Sequence, residues 1–95
     1  MITHVVMFKM EDRSEASISR AVEKIRGLAG KVPSLRSLEV GQDVIRSARS
    51  YDLALIARFD DLAGLQAYQV HPDHVVVLDY MRAVTEGSTA VDFES

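Results

Sequence analysis

The segment from residue 2 to residue 9 constrains the fold most, because apolar residues occupy both of its faces. In an extended strand, alternate side chains point to opposite sides. One side of this predicted strand carries Ile2, His4, Val6 and Phe8. The other side carries Thr3, Val5, Met7 and Lys9. A strand of this kind needs cover other than water on both faces of its sheet.

A helix is predicted to follow the first strand. Its apolar residues recur at spacings of three and four, namely Ile18, Ala21, Val22, Ile25, Leu28 and Ala29. Ser14 is available as its N-cap, and Gly30 and Pro33 are placed to end it. A moderate alternation over residues 35–40 then predicts a second strand.

The second half of the chain repeats this pattern of strand and helix. Alternation over residues 51–59 predicts a strand whose second face is not fully polar. An aspartate at position 60 or 61 can cap a short helix after it. Pro72 suits the first turn of another helix, which we expect to run towards Val84 and to be broken by Gly87. Residues 88–93 are predicted to form the last strand.

The predicted order is strand, helix, strand, strand, helix pair, strand, within a single domain over residues 1–95. This order predicts an α+β fold, a ferredoxin-like split βαβ arrangement with a four-stranded antiparallel sheet and helices on one face. The other face keeps an apolar patch made of Val5, Met7, Ala54 and Ile56. Such a patch usually marks an interface, so we predict a homodimer packed sheet against sheet through this open face.

Composition excludes several classes of function. The 95 residues include no Cys, which excludes disulfides, thiolate metal sites and cysteine nucleophiles. The net charge of −3 argues against binding to nucleic acid or to an anionic membrane. The apolar start is too short to span a membrane and lacks the basic opening of a signal peptide, so the expected location is cytoplasmic.

Charge is distributed unequally between the two halves of the chain. Residues 1–50 hold nine basic and six acidic side chains, whereas residues 51–95 hold two basic and eight acidic ones. Opposite charges favour contact between the halves, within one chain or between two copies. Arg36, Arg46 and Arg49 are candidates for an anion site, although pairing with acids of the second half is the favoured interpretation.

Three histidines are the main candidates for chemistry. His71 and His74 have the spacing of metal ligands and His4 could add a third nitrogen, but Pro72 places the first two in different backbone settings. The chain has no HExxH pattern, P-loop, GxGxxG motif or nucleophile elbow, so we predict no metal site and no bound cofactor. Because His71 precedes a proline, an extended backbone and a structural role in the turn are expected for it.

Three segments taken together resemble the stress-responsive A/B barrel domain (Dabb) family, within the dimeric α+β barrel superfamily. These segments are HVVMFKM, RSYDLALIARFDDLAGLQAY, and QVHPDH leading into VVVLDYMRAV. The resemblance covers essentially the whole chain. It implies the split βαβ fold, a β-barrel homodimer, a pocket for a small apolar or aromatic ligand, and a biochemical activity that is unassigned in most bacterial members.

Plant members of this family include a polyketide cyclase that needs no cofactor, and the resemblance places its site on four residues here. The acid–base pair falls on Tyr68 and His74, the strand-one histidine on His4, and a late-strand aspartate on Asp92. Aldol cyclisation needs a base that removes a carbon-bound proton and a donor that holds the developing oxyanion, and His and Tyr suit these roles. We expect these four candidate catalytic residues around a cavity between the helices and the sheet.

Each of these residues also has a structural interpretation. His74 can bond to a backbone carbonyl while packing its helix, and His4 can be a buried histidine bonded to Asp92 across neighbouring strands. Tyr68 lies on an apolar helix face, where packing is the usual explanation. Three functions stay open: a binding or stress-protective dimer, a cofactor-independent cyclase or lyase, and, by fold analogy alone, a cofactor-free monooxygenase.

Overall fold

A computed structural model describes all residues, 1–95, as four strands and three helices. The strands are β1 (Ile2–Met10), β2 (Ser37–Gln42), β3 (Leu53–Phe59) and β4 (Thr85–Glu94), and the helices are α1 (Glu15–Arg26), α2 (Leu62–Val70) and α3 (Pro72–Val84). The strands form one antiparallel sheet in the order β2-β3-β1-β4. This arrangement confirms the ferredoxin-like α+β fold that the sequence predicts.

β1 lies in the interior of the sheet because β3 and β4 pair with its two edges. Val5, for example, faces Ile56 of β3 on one side and Val91 of β4 on the other. The side of the sheet beneath the helices is buried and includes, from β1 and β3, the residues Ile2, Val6, Phe8, Met10, Leu53, Leu55, Ala57 and Phe59. This layer packs against the apolar face of α1 and against Leu65, Tyr68 and Met81 of α2 and α3 to form the core.

The opposite side of the sheet, called the open face below, has no cover within the chain. It carries the predicted apolar patch, since the register places Val5 opposite Ile56 and Met7 opposite Ala54. β4 extends the patch with Val91 and Phe93, which are large, apolar and exposed. The open face is therefore a continuous apolar surface across β3, β1 and β4.

The helices begin at residues that satisfy their first N–H groups. Side chains of Ser14, Asp61 and His71 cap α1, α2 and α3. In α3 the Nδ1 atom of His71 accepts the N–H of Asp73 at 3.1 Å, and Pro72 occupies the first position, where its missing N–H has no cost. None of the three helices has a stretch long and apolar enough to cross a membrane.

Several boundaries differ from the predicted ones. α1 ends at Arg26, and Gly30 instead takes a φ of 79° in the turn that follows. Gly87 does not end α3, because the helix ends at Val84 and β4 begins with the next residue. Gly87 lies within β4, opposite Lys9 of β1, so pairing with an interior strand outweighs the weak strand preference of glycine. β2 and β3 each start two residues later than predicted.

Asp52, directly before β3, is a fully buried carboxylate. One of its oxygens accepts the main-chain N–H of Met10 at 2.7 Å, and the other accepts from Arg13 at 2.8 Å and from Arg46 at 2.9 Å. Burial by itself raises the pKa of Asp52, but these hydrogen bonds outweigh burial and hold the pKa below its usual range. The ionised carboxylate therefore ties together the end of β1, the segment before α1 and the loop between β2 and β3.

Ion pairs of three arginines, Arg13, Arg36 and Arg46, join the two halves of the chain, as their opposite charges predict. Arg46 pairs with Asp52, and Arg36 pairs with Asp60 at 2.8 Å on the surface. Arg49 forms no ion pair, so Arg36, Arg46 and Arg49 do not gather into one anion site.

We predict that Asp52→Ala lowers the free energy of unfolding by about 2–4 kcal/mol, because three hydrogen bonds are lost and the buried Met10 N–H keeps no partner. Urea denaturation at pH 7 and one fixed protein concentration measures the loss. Asp60→Ala, which breaks the exposed pair with Arg36, is the matched control and should leave the midpoint nearly unchanged. Equal losses in the two variants would contradict this account.

Candidate functional site

Two of the predicted site residues meet across β1 and β4. His4 and Asp92 are direct partners in the strand register, and Nδ1 of the buried His4 is hydrogen-bonded to the Asp92 carboxylate. A carboxylate only accepts, so Nδ1 of His4 carries a proton, and Nε2 is the ring nitrogen left for another partner. The bond joins the edge strand to the interior strand and also fixes the orientation of the imidazole.

The other two predicted residues meet at the turn between α2 and α3. The rings of Tyr68 and His74 lie 4.2 Å apart between centroids, tilted by 41°. On its other sides Tyr68 packs 5.0 Å from the Phe59 ring and edge-on to His4, at 6.2 Å. Tyr68 thus lies between the two histidines, and the structure brings all four predicted residues into one cluster.

Burial sets the protonation of Tyr68 and His74. Tyr68 is 1% exposed, and burial raises the pKa of its phenol to about 12. Burial also lowers the pKa of His74; the hydrogen bond to the Gln69 carbonyl opposes this effect, whereas the neighbouring His4 and His71 reinforce it. At pH 7 the cluster therefore offers a neutral phenol, which can donate a proton, beside a neutral imidazole, which can accept one.

The neutral His74 has a defined tautomer. Its Nδ1 lies 3.1 Å from the main-chain oxygen of Gln69. Because a carbonyl oxygen only accepts, Nδ1 bears the proton and donates it, and the lone pair is on Nε2. Nε2 is therefore the atom through which His74 would act as a base.

The cavity beside this cluster is small. Its volume is about 30 Å³, and of the four predicted residues Tyr68 and His74 line it, whereas His4 and Asp92 do not. That volume holds one or two waters, whereas sites for small molecules begin at about 300 Å³. Aliphatic side chains fill the rest of the space, including Ile25, Leu28, Val77, Leu78 and Met81. The ligand-sized pocket that the resemblance implies is therefore not open in this structure.

His71 stands apart from the cluster. Its backbone is extended (φ −66°, ψ 134°), and its ring caps α3, which is the turn role expected for a histidine before proline. Nowhere in the chain do three or more His, Asp or Glu side chains gather in an arrangement that could hold a metal ion.

A larger groove lies on the open face and was not predicted. Its volume is about 410 Å³, and its walls include Met7, Ile56 and Tyr51. The floor is low because Gly41 of β2 and Ala54 of β3, two of the smallest residues, lie directly opposite each other. These two small residues are the sequence feature that indicates the groove. They indicate it only when the register of β2 and β3 is known.

Comparison with known proteins finds similarity along the whole chain. The family described as "Stress responsive A/B Barrel Domain" matches residues 2–95. The stress-response A/B barrel domain-containing protein DABB1 of Arabidopsis thaliana is 29% identical over 98% of this chain. The chain spans 46% of the length of that plant protein.

Two solved bacterial structures share the fold over nearly their whole length. A dimeric ferredoxin-like protein of unknown function from Thermobifida fusca is 28% identical with a TM-score of 0.87, over 99% of this chain and 90% of that one. A dimeric protein of unknown function with a ferredoxin-like fold from Bacteroides fragilis is 27% identical with a TM-score of 0.85, over 99% and 95% of the two chains.

We predict that His74 titrates below 6.5, its ordinary pKa, because burial disfavours the imidazolium. As the pH falls below 6.5, the unfolded chain takes up the proton first, so the free energy of unfolding falls until the lowered pKa is passed. NMR titration of the imidazole protons measures the pKa, and His74→Gln identifies the signal. This variant should also lose less stability over the same pH range. A pKa at or above 6.5 would contradict the prediction.

Proposed function

Because the chain belongs to the stress-responsive A/B barrel domain family, we propose that it works as a homodimer joined through the open face of its sheet. The observation that carries this proposal is the apolar strip formed on that face by Val5, Met7, Ile56, Val91 and Phe93. A second copy would remove this surface from water, which favours association. The two bacterial structures described as dimers support the proposal.

The charges on the open face are arranged as an interface requires. Lys9 lies near the end of β1, Arg58 near the end of β3, and Glu39 on the edge strand β2. The middle of the face is apolar. Protein interfaces have this pattern of an apolar centre and a charged rim.

The length of the chain supports the same proposal. A 95-residue domain leaves a large part of its surface exposed, and a core of this size gives limited stability on its own. Packing two sheets face to face would add a second apolar layer beneath β1 and β3.

We predict that Val91→Asp weakens the dimer strongly, because each interface would then bury two unpaired carboxylates. A cost of about 2–3 kcal/mol corresponds to a rise in Kd of roughly 100-fold. Sedimentation velocity over a range of concentrations measures this Kd. Val70→Asp is the matched control, because Val70 is 76% exposed at the end of α2, away from the open face. An unchanged Kd in Val91→Asp would refute the open face as the interface.

A second candidate function is acid–base catalysis on a small apolar or aromatic molecule, of the cyclase or lyase type. The observation in its favour is the contact between the neutral Tyr68 phenol and the neutral His74 imidazole. In this proposal Nε2 of His74 removes a carbon-bound proton, and the Tyr68 hydroxyl donates a hydrogen bond to the oxyanion that develops. His4, held by Asp92, orients the substrate. No net oxidation occurs, so the step requires no redox cofactor.

For turnover of a poly-β-keto substrate, we expect His74→Gln to lower kcat by about 10²–10⁴-fold, the usual effect of losing a general base. Tyr68→Phe keeps the ring packing and should also lower kcat. His71→Gln is the control, because His71 caps a helix and does not line the cavity. If His74→Gln and His71→Gln turn over the substrate at the same rate, His74 is not the base.

A further inference from the structure

Two of the most exposed large apolar side chains are adjacent in the chain. Val44 is 86% exposed and Ile45 is 75% exposed. Both belong to the loop between β2 and β3, residues 43–52, and we call them the loop tip. Single exposed apolar residues are common on protein surfaces, but a pair at the tip of a tightly held loop requires an explanation.

The loop is held at its base by the arginines that bind Asp52. Arg13 uses its Nη2 atom to donate to the main-chain oxygens of Ser47 at 3.3 Å and Ser50 at 3.2 Å. The hydroxyls of these two serines are hydrogen-bonded to each other at 2.7 Å. The part of the loop that follows the tip is thus fixed to the segment before α1.

The residue directly after the tip has an unusual backbone conformation. Arg46 has a φ of 60°, in the left-handed region that residues other than glycine rarely adopt. Its N–H donates to the Asp43 carboxylate at 2.6 Å, and its guanidinium donates to Asp52 and to the main-chain oxygen of Arg13, both at 2.9 Å. A strained conformation that is held this firmly indicates a selected loop shape.

The loop borders the groove on the open face. Asp43, Ser50 and Tyr51 form one wall of the groove, and Met7 and Ile56 lie on the sheet side. No side chain of the same chain fills this space of about 410 Å³. The loop that carries the tip therefore borders the groove of the face that we assign to the dimer, while the tip itself contributes nothing to the walls of its own groove.

We infer that the loop tip of each copy, Val44 and Ile45, packs into the open-face groove of the other copy and anchors the dimer. This inference rests on the proposed homodimer. In a two-fold dimer the same surface is used twice, so each copy inserts one tip and receives one. Because hydrogen bonds already hold the loop, docking costs little conformational entropy.

The first experiment compares dimer dissociation constants by sedimentation velocity. The double variant Val44→Ser with Ile45→Ser should raise Kd at least tenfold, whereas Val70→Ser should leave it unchanged. If Val91→Asp disrupts the dimer but the double variant dimerises like the wild type, the inference is wrong and the open-face dimer stands. If the wild type is monomeric at all concentrations, the dimer itself is refuted, and the inference with it.

The second experiment tests where the tip lies, and it uses the absence of cysteine from the chain. A variant with Ile45→Cys and Ala54→Cys places one thiol at the tip and one on the groove floor. A short bismaleimide should link this variant into a covalent dimer on a denaturing gel. Val70→Cys with Ala54→Cys should give no such dimer. A variant that still dimerises in solution but yields no more covalent dimer than this control would overturn the assignment of the tip to the groove.

Discussion

The buried carboxylate of Asp52 connects the parts of the chain that meet at one end of the two central strands, β1 and β3. It receives hydrogen bonds from the end of β1, from the segment before α1 and from the loop between β2 and β3. Moving a carboxylate out of water is costly, and an apolar residue of similar size often gives equal stability. An apolar residue at this position could not make directional contacts. The hydrogen bonds of Asp52 help to hold Arg46 in its left-handed conformation beside the groove. The carboxylate thus specifies the shape of the loop as well as contributing to stability.

The two faces of the sheet differ in chemistry although they share β1. His4 faces the helices, where it meets Asp92 and the Tyr68 ring. Val5, its neighbour in sequence, faces the other way, between Ile56 and Val91. Alternation along one strand therefore places a polar cluster and an apolar surface on opposite sides of a single sheet layer. Any shift of β1 that follows contact on the open face would also move His4.

Much of the fold follows from local patterns in the sequence. Alternation identifies β1 and β3, spacings of three and four identify α1, and Pro72 marks the start of α3. Once β1 and β4 are known to pair, the contact between His4 and Asp92 follows from the register, which is why the sequence can suggest it. Cavity volume does not follow in this way, because it depends on how aliphatic side chains such as Leu28 and Val77 fill the space above Tyr68.

Asp52 shows why other features were missed. Alternation along β3 places it with Ala54 and Ile56 on the second face of the strand, and nothing local indicates that it is buried. Its partners lie at positions 10, 13 and 46, so its environment exists only after β1 and β3 have paired. The left-handed backbone of Arg46 has the same origin, since it is stabilised by contacts that are distant in sequence.

The two proposed functions differ in whether they require the small cavity beside Tyr68 and His74 to open. Tyr68 and His74 have the protonation states of an acid–base pair, but their rings are in contact, so no substrate fits between them as they stand. Catalysis would require α3 to move away from α2 at the turn formed by His71 and Pro72, and this motion would also disturb the contact of Lys24 with the Tyr80 ring, at 5.3 Å. The dimer requires no such motion, because Met7, Val91 and Phe93 of the apolar strip are already exposed. Association therefore requires no rearrangement of the protein. Chemistry at the cluster, in contrast, first requires the side-chain packing around the cavity to open.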